Sequence, residues 1–235
     1  MIGYSIFLGK KIILSKSLKW FYLDIASTLF DTYGKQEESG FNYHYSGHGY
    51  HPLLCYDGLT GDLIKATLRP GNVYSSIDCE LFQPLLMEYQ EDYTDIKFYL
   101  RGDSGFAEPE LFEQLESNGT SYAIRLKGNA ILKEVAAYLD KELDELTTNN
   151  KVDYAVVYGE FFYAASSWSY PRRIVVEAEK PSGQLVYMHT FIVTNMDIKP
   201  EDIIRFYCNR GKMENFIKES KRGFDMDTMS SHSMI

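Results

Sequence analysis

Short apolar runs separated by turn-forming residues dominate the first half of the chain. Trp20-Phe-Tyr-Leu-Asp24 is apolar and ends on an acid, the pattern of a buried strand. His51-Pro-Leu-Leu-Cys-Tyr56 and Leu63-Ile-Lys-Ala-Thr-Leu68 read as two further strands, and Asp57-Gly58-Leu-Thr-Gly61 between them supplies hairpin chemistry. The stretch from Tyr33 to Gly49, rich in Gly, Tyr and His, reads as a loop. Ser75 and Ser76 offer N-caps to a helix running toward Glu91, which Pro84 would interrupt. Ile96–Arg101 is a fourth strand. Pro109 opens a helix that Asn118-Gly119 closes. Tyr122–Leu126 follows as a fifth strand, and Ala130–Leu146 is a helix by propensity.

The texture changes at Thr147-Thr-Asn-Asn150, which reads as a linker. Beyond it, residues 154–165, 172–180 and 185–194 are β-rich runs broken by Ser-Tyr-Pro and Pro-Ser-Gly, an antiparallel insertion. Pro200 opens one long helix that Gly223 closes. Three sequential strands, then strands joined by helical crossovers, predict an α/β fold. It is a ribonuclease-H-like mixed sheet with helices on both faces and a β-rich insertion before the last helix. The expected segmentation is 1–146 for the first part of the core, 151–196 for the insertion and 197–235 for the C-terminal helix of the core.

Acids just past the C-terminal ends of such strands stand where α/β sheets place their sites. Asp24 is one, and Asp103, between Gly102 and Gly105, is another. For Asp103 an Asx-turn competes with a ligand-binding role. On the last helix, Tyr207, Arg210, Glu214 and Lys221 project within a stripe about 60° wide at 100° per residue. That stripe is too polar for core packing, and a solvated face of i,i+4 pairs competes with a functional one. From Arg205 to Arg222 there are six basic residues (Lys218 among them) against two acids, within a chain of 235 residues whose net charge is -9. The overall acidity argues against a nucleic-acid binder, whereas this local excess suits phosphate contact. Three cysteines without C-x-x-C spacing exclude a disulfide framework and point to a reducing cytosol. No apolar run is long enough to cross a bilayer. His44, His48 and His51 have metal-like spacing but sit in a loop with no supporting cysteine, where a turn with incidental histidines is the plainer reading.

Tyr207-x2-Arg210-x3-Glu214-x6-Lys221 resembles the Y-R-E-K signature of bacterial insertion-sequence transposases of the DDE type. Arg101-Gly-Asp-Ser-Gly-Phe-Ala107 is similar to the block around their second catalytic Asp, and Tyr33-Gly-Lys-Gln-Glu37 and Met229-Ser-Ser-His-Ser233 are similar to the same group. The resemblance implies a catalytic core in which Asp103, Glu214 and an acid of the first strand hold two Mg²⁺ ions, for which Mn²⁺ substitutes. It implies phosphodiester hydrolysis and strand transfer on transposon-end and target DNA. Tyr207, Arg210, Lys218 and Lys221 would contact DNA, and a homodimer would form on it, in the bacterial cytoplasm beside the nucleoid. Relatives read Asp-x-Asp-Ser/Ala-Thr after the first strand. Here the string is Asp24-Ile-Ala26-Ser-Thr28, with alanine at the ligand position. Asp24, about 7 Å back along the strand, or Asp31 in the next loop, is the nearest substitute. The same comparison predicts an inactive copy and a fragment of a longer protein. A catalytically dead DNA-binding remnant and a non-transposing nuclease of the same fold are the alternatives.

Overall fold

Strand β2 (Trp20–Ser27) is the axis of the molecule, because its two faces bury different things. Phe21, Leu23 and Ile25 point into the main core, while Ala26 on the opposite face joins a second apolar cluster. This double burial explains why the strand is a nearly continuous apolar run rather than an alternating one. It is described within a computed structural model that covers residues 5–6, 19–33, 36–75, 82–150, 152–184 and 186–228.

Around this axis the described residues build a nine-stranded sheet. β6 (Leu53–Asp57) and β7 (Leu63–Thr67) add antiparallel on one side, with β1 (Ser5–Ile6) at the edge. On the other side β8 (Lys97–Gly102) and β9 (Ser121–Leu126) add parallel. Numbering only β2, β6, β7, β8 and β9, the spatial order is 3-2-1-4-5, the ribonuclease-H-like arrangement. Helices α1 (Gln83–Asp92), α2 (Pro109–Ser117) and α3 (Ala130–Asn150) pack their apolar stripes on the Phe21/Leu23/Ile25 face. Helices α4 (Pro200–Cys208) and α5 (Lys212–Phe224) cover the other face. The mixed sheet with helices on both faces is therefore present.

Several local expectations are corrected. The Tyr33–Gly49 segment is not a plain loop. It holds β4 (Gly40–Asn42) and β5 (Gly47–Tyr50), which with β3 (Phe30–Asp31) form a small separate sheet in the order β3-β5-β4. Gly49 permits it: a Cβ there would lie 2.0 Å from the Phe30 carbonyl oxygen. Pro84 does not interrupt α1 but sits in its first turn, where no amide hydrogen bond is lost. Ser76 lies outside the described residues, and Ser75 precedes the helix without capping it. Thr147-Thr-Asn-Asn150 is helical rather than a linker. The Thr147 hydroxyl donates to the Leu143 carbonyl at 2.9 Å and accepts from Lys180 Nζ at 3.1 Å.

The β-rich segment is antiparallel, as its pattern predicts, but it does not stand apart. β10 (Ala155–Tyr163), β11 (Arg172–Lys180) and β12 (Met188–Thr194) pair in turn, and β12 pairs antiparallel with β9. They extend the same sheet. Their inward residues (Ile174, Val176, Phe191, Val193) share the core of β2 and β8. The final helix is also not continuous. Asn209–Gly211 forms a tighter 3-10 turn between α4 and α5, and Asp225, in the left-handed region at φ 47°, caps α5 in place of Gly223.

Candidate functional site

Asp24 lies fully buried near the end of β2, beside Arg101 of β8 in the parallel register. Arg101 Nε donates to Asp24 Oδ1 at 2.6 Å and Nη2 to Oδ2 at 2.8 Å, a two-pronged pair. A third donor, Nη1, reaches the Phe206 carbonyl of α4 at 2.8 Å, and the guanidinium lies against the Tyr22 and Phe206 rings, 5.7 and 4.9 Å from their centroids. Burial pushes the Asp24 carboxyl up from its ordinary value, against the downward pull of Arg101. Gly58 closes the pocket: a Cβ there would lie 2.5 Å from Arg101 Nη2. Both Asp24 oxygens are thus committed to structure. Asp24 is not brought into a carboxylate cluster with Asp103 and Glu214.

Asp103 follows two residues after Arg101, so it faces the same side of the sheet. The β2–β8 pairing ends at Asp24 and Arg101, so Ala26 and Asp103 follow two residues beyond it on their own strands. The Ala26 methyl packs with Leu54, Tyr56 and Met213 of α5. Asp103 Oδ1 accepts from the Gly105 amide at 2.8 Å, the Asx-turn geometry that its glycines suggest. Its Oδ2 accepts from Arg210 Nη2 at 3.2 Å, and the same nitrogen donates to the Ile25 carbonyl at 2.8 Å. Arg210 Nε is buried with no acceptor.

The Y-R-E-K positions do not share one environment. Each residue in a 3-10 turn advances about 120° instead of 100°, so the Asn209–Gly211 turn rotates α5 by roughly 60° relative to α4. Tyr207 is half-buried against the Ile203/Ile204 cluster, and that burial raises its phenol pKa. Arg210 reaches Asp103, and Glu214, one turn later, is exposed. Lys218 is exposed. Lys221 donates to the Leu29 carbonyl at 2.6 Å and lies over the Phe30 ring, and burial lowers its pKa. Asp31, the other candidate substitute, is exposed in β3.

Asp103 forms part of the wall of a large cleft, about 1130 Å³, between the small sheet and the start of α2. His51 also lines it. Its Nδ1 donates to the Val73 carbonyl at 2.7 Å, leaving Nε2 as the unprotonated nitrogen of the neutral ring. Burial lowers the His51 pKa below 6.5. His48 lies 3.4 Å from the Thr32 hydroxyl. No three His, Cys, Asp or Glu side chains gather as a metal site among the described residues. The donors do not fit the pair of carboxylate-held ions that the resemblance implies. Asp24 is taken by Arg101, the Ala26 side chain has no oxygen, and Asp103 already faces a guanidinium.

A family model described as "Transposase DDE domain group 1" matches residues 8–235. The chain belongs to this transposase DDE family. Met229–Ser233, one of the stretches similar to the group, lies outside the described residues. No curated protein matches this DDE-family chain in sequence. Among solved structures, a piggyBac transposase synaptic complex with hairpin DNA aligns at 13% identity and TM-score 0.49, over 85% of this chain and 40% of that one. The chain thus spans two fifths of that transposase. An Argonaute from Marinitoga piezophila in complex with guide RNA and target DNA aligns at 12% identity and TM-score 0.32, over 80% and 25%. The large terminase nuclease of thermophilic phage G20c with bound magnesium aligns at 13% identity and TM-score 0.24, over 73% and 79%. No helix among the described residues is long and apolar enough to cross a membrane.

The residues that sequence reasoning missed are Arg101 and the Ile25 carbonyl. Arg101 carried a readable signal, since it shares a period-2 face with Asp103 and stands opposite Asp24 once the parallel pairing is known. The Ile25 carbonyl is backbone and carried none.

Proposed function

We propose that this DDE-family chain is the catalytic-core domain of a bacterial insertion-sequence DNA transposase, and that in its present form it holds transposon-end DNA without cutting it. The observation that carries this is that Arg210 Nη2 bonds both the Asp103 carboxylate and the Ile25 carbonyl, next to Ala26, where an alanine and not an acid stands. Asp103 and Glu214 are the remaining members of the acid trio, and Asp24 serves as the buried partner of Arg101. The chemistry that two divalent ions supply in a complete trio is activation of a water or a 3′-hydroxyl for in-line attack on phosphorus. The donor set gives this chain no route to it.

DNA contact falls to the exposed cations of the C-terminal helices. Lys212, Lys218 and Arg222 are exposed on α5 and would bind phosphates, whereas Arg210 and Lys221 brace the helix on the ends of β2 and the following turn. Two such domains pairing two transposon ends would form the dimer on DNA. The test compares the native chain with Ala26→Asp on DNA carrying the element's own ends, in Mg²⁺ or Mn²⁺. The native chain should bind and leave the DNA intact, and Ala26→Asp should nick it. Cleavage by the native chain that disappears in Asp103→Asn would overturn the reading. Cleavage of arbitrary DNA without joining of ends would instead favour a plain nuclease.

A further inference from the structure

We infer that Arg210 is the resident cation of this site, and that its guanidinium keeps divalent ions away from Asp103. The inference rests on reading the site as a transposase centre, but it concerns the ion rather than the DNA. A charge balance motivates it. With Asp24 paired to Arg101, Asp103 has Arg210 as its arginine partner.

Two features hold Arg210 in place. Its Nη2 is anchored to a backbone carbonyl, Ile25, immediately before Ala26 in the strand. Its side chain is only 15% exposed, and Nε is buried without an acceptor. A guanidinium so far removed from water is held there by its neighbouring anion, and Asp103 is the carboxylate that reaches it. Asp103 opens on one side to the cleft, and on the other side Ala26 packs with Met213 in an apolar cluster, so its side chain offers no second carboxylate there. A divalent ion entering beside Asp103 would meet a fixed like charge. Glu214 is exposed on the next turn.

Arginine thus takes the charge-neutralising part of the metal's role without its chemistry. DNA binding by the native chain would then be independent of divalent ions. The experiment titrates Mn²⁺ alone into the full chain and reads free Mn²⁺ by electron paramagnetic resonance. Four proteins are compared: native, Asp103→Asn, Ala26→Asp and the double variant Ala26→Asp/Arg210→Gln, with circular dichroism confirming that each is folded. The native chain should bind no Mn²⁺ at about millimolar concentration, beyond the range of ordinary carboxylate sites. The double variant should bind about tenfold or more tightly than Ala26→Asp alone, the scale of removing one adjacent like charge. Native binding that Asp103→Asn abolishes would overturn the inference. So would equal Mn²⁺ affinity in the single and double variants. A chain that binds no DNA, or that cuts it, would refute the proposed function through the DNA assay and leave the ion titration to be read separately.

Discussion

At the level of single residues, the Asp24–Arg101 pair decides more than any other contact near the site. It ties β2 to β8 and, through the Phe206 carbonyl, ties both to the end of α4. Removing one partner leaves a buried charge behind. Arg101→Leu should therefore destabilise the fold by about 3–5 kcal/mol in urea unfolding. A loss under about 1 kcal/mol, the scale of an exposed pair, would show that the pair is not desolvated in solution. His51 is the second informative residue. Burial, the chief cause, holds its pKa below 6.5 against a raising hydrogen bond to Val73, with Arg69 and His44 also lowering it. The unfolded ring binds a proton between the folded pKa and 6.5 while the folded ring does not, so stability falls as pH drops through that window. Thermal melts of His51→Asn, which keeps a donor toward Val73, should lose this dependence. An unchanged slope would assign it to other groups.

At the scale of the element, the C-terminal helices show how a stripe read at uniform pitch is redistributed. The 3-10 turn offsets α5 from α4, and within α5 some residues brace the helix while others face solvent. Lys218 and Lys221 are three positions apart yet serve different ends. Lys218→Ala should lower the slope of log affinity for DNA against log salt by about one, as expected for one lost phosphate contact. Lys221→Ala removes the hydrogen bond to the Leu29 carbonyl and should lower stability by about 1–2 kcal/mol with little change in that slope. Fluorescence anisotropy across a salt series, beside a denaturation curve, separates the two. A steeper loss of slope at Lys221 than at Lys218 would reverse the assignment.

For the whole molecule, the central fact is that the β-rich segment completes the main sheet rather than forming an appended unit. β12 pairs with β9, and Phe191 and Val193 lie in the same core as Leu100 and Ile124. Phe191→Ala should thus cost about 3–5 kcal/mol. Hydrogen exchange should show protection falling in β2 and β8 as well as in β10–β12. Loss confined to residues 155–194 would mean that the segment opens independently.

Much of this was legible along the chain because it depends on local chemistry. Apolar runs marked the five core strands, Pro109 and Pro200 marked helix starts, and the Gly-Asp-Ser-Gly string marked the bend that exposes Asp103. Hairpin and crossover lengths then limited the sheet order. Other features depended on which strand ended beside which. That Asp24 is a buried ion-pair partner follows from the β2–β8 register, which couples residues 77 positions apart. That Arg210 rests on Asp103 follows from a tightened turn and a backbone carbonyl, neither of which leaves a periodic trace in the sequence. Pattern reports which faces are apolar. The pairing of charges is settled by packing, because an ion removed from water must find its counter-ion in space, however far away it lies in the chain.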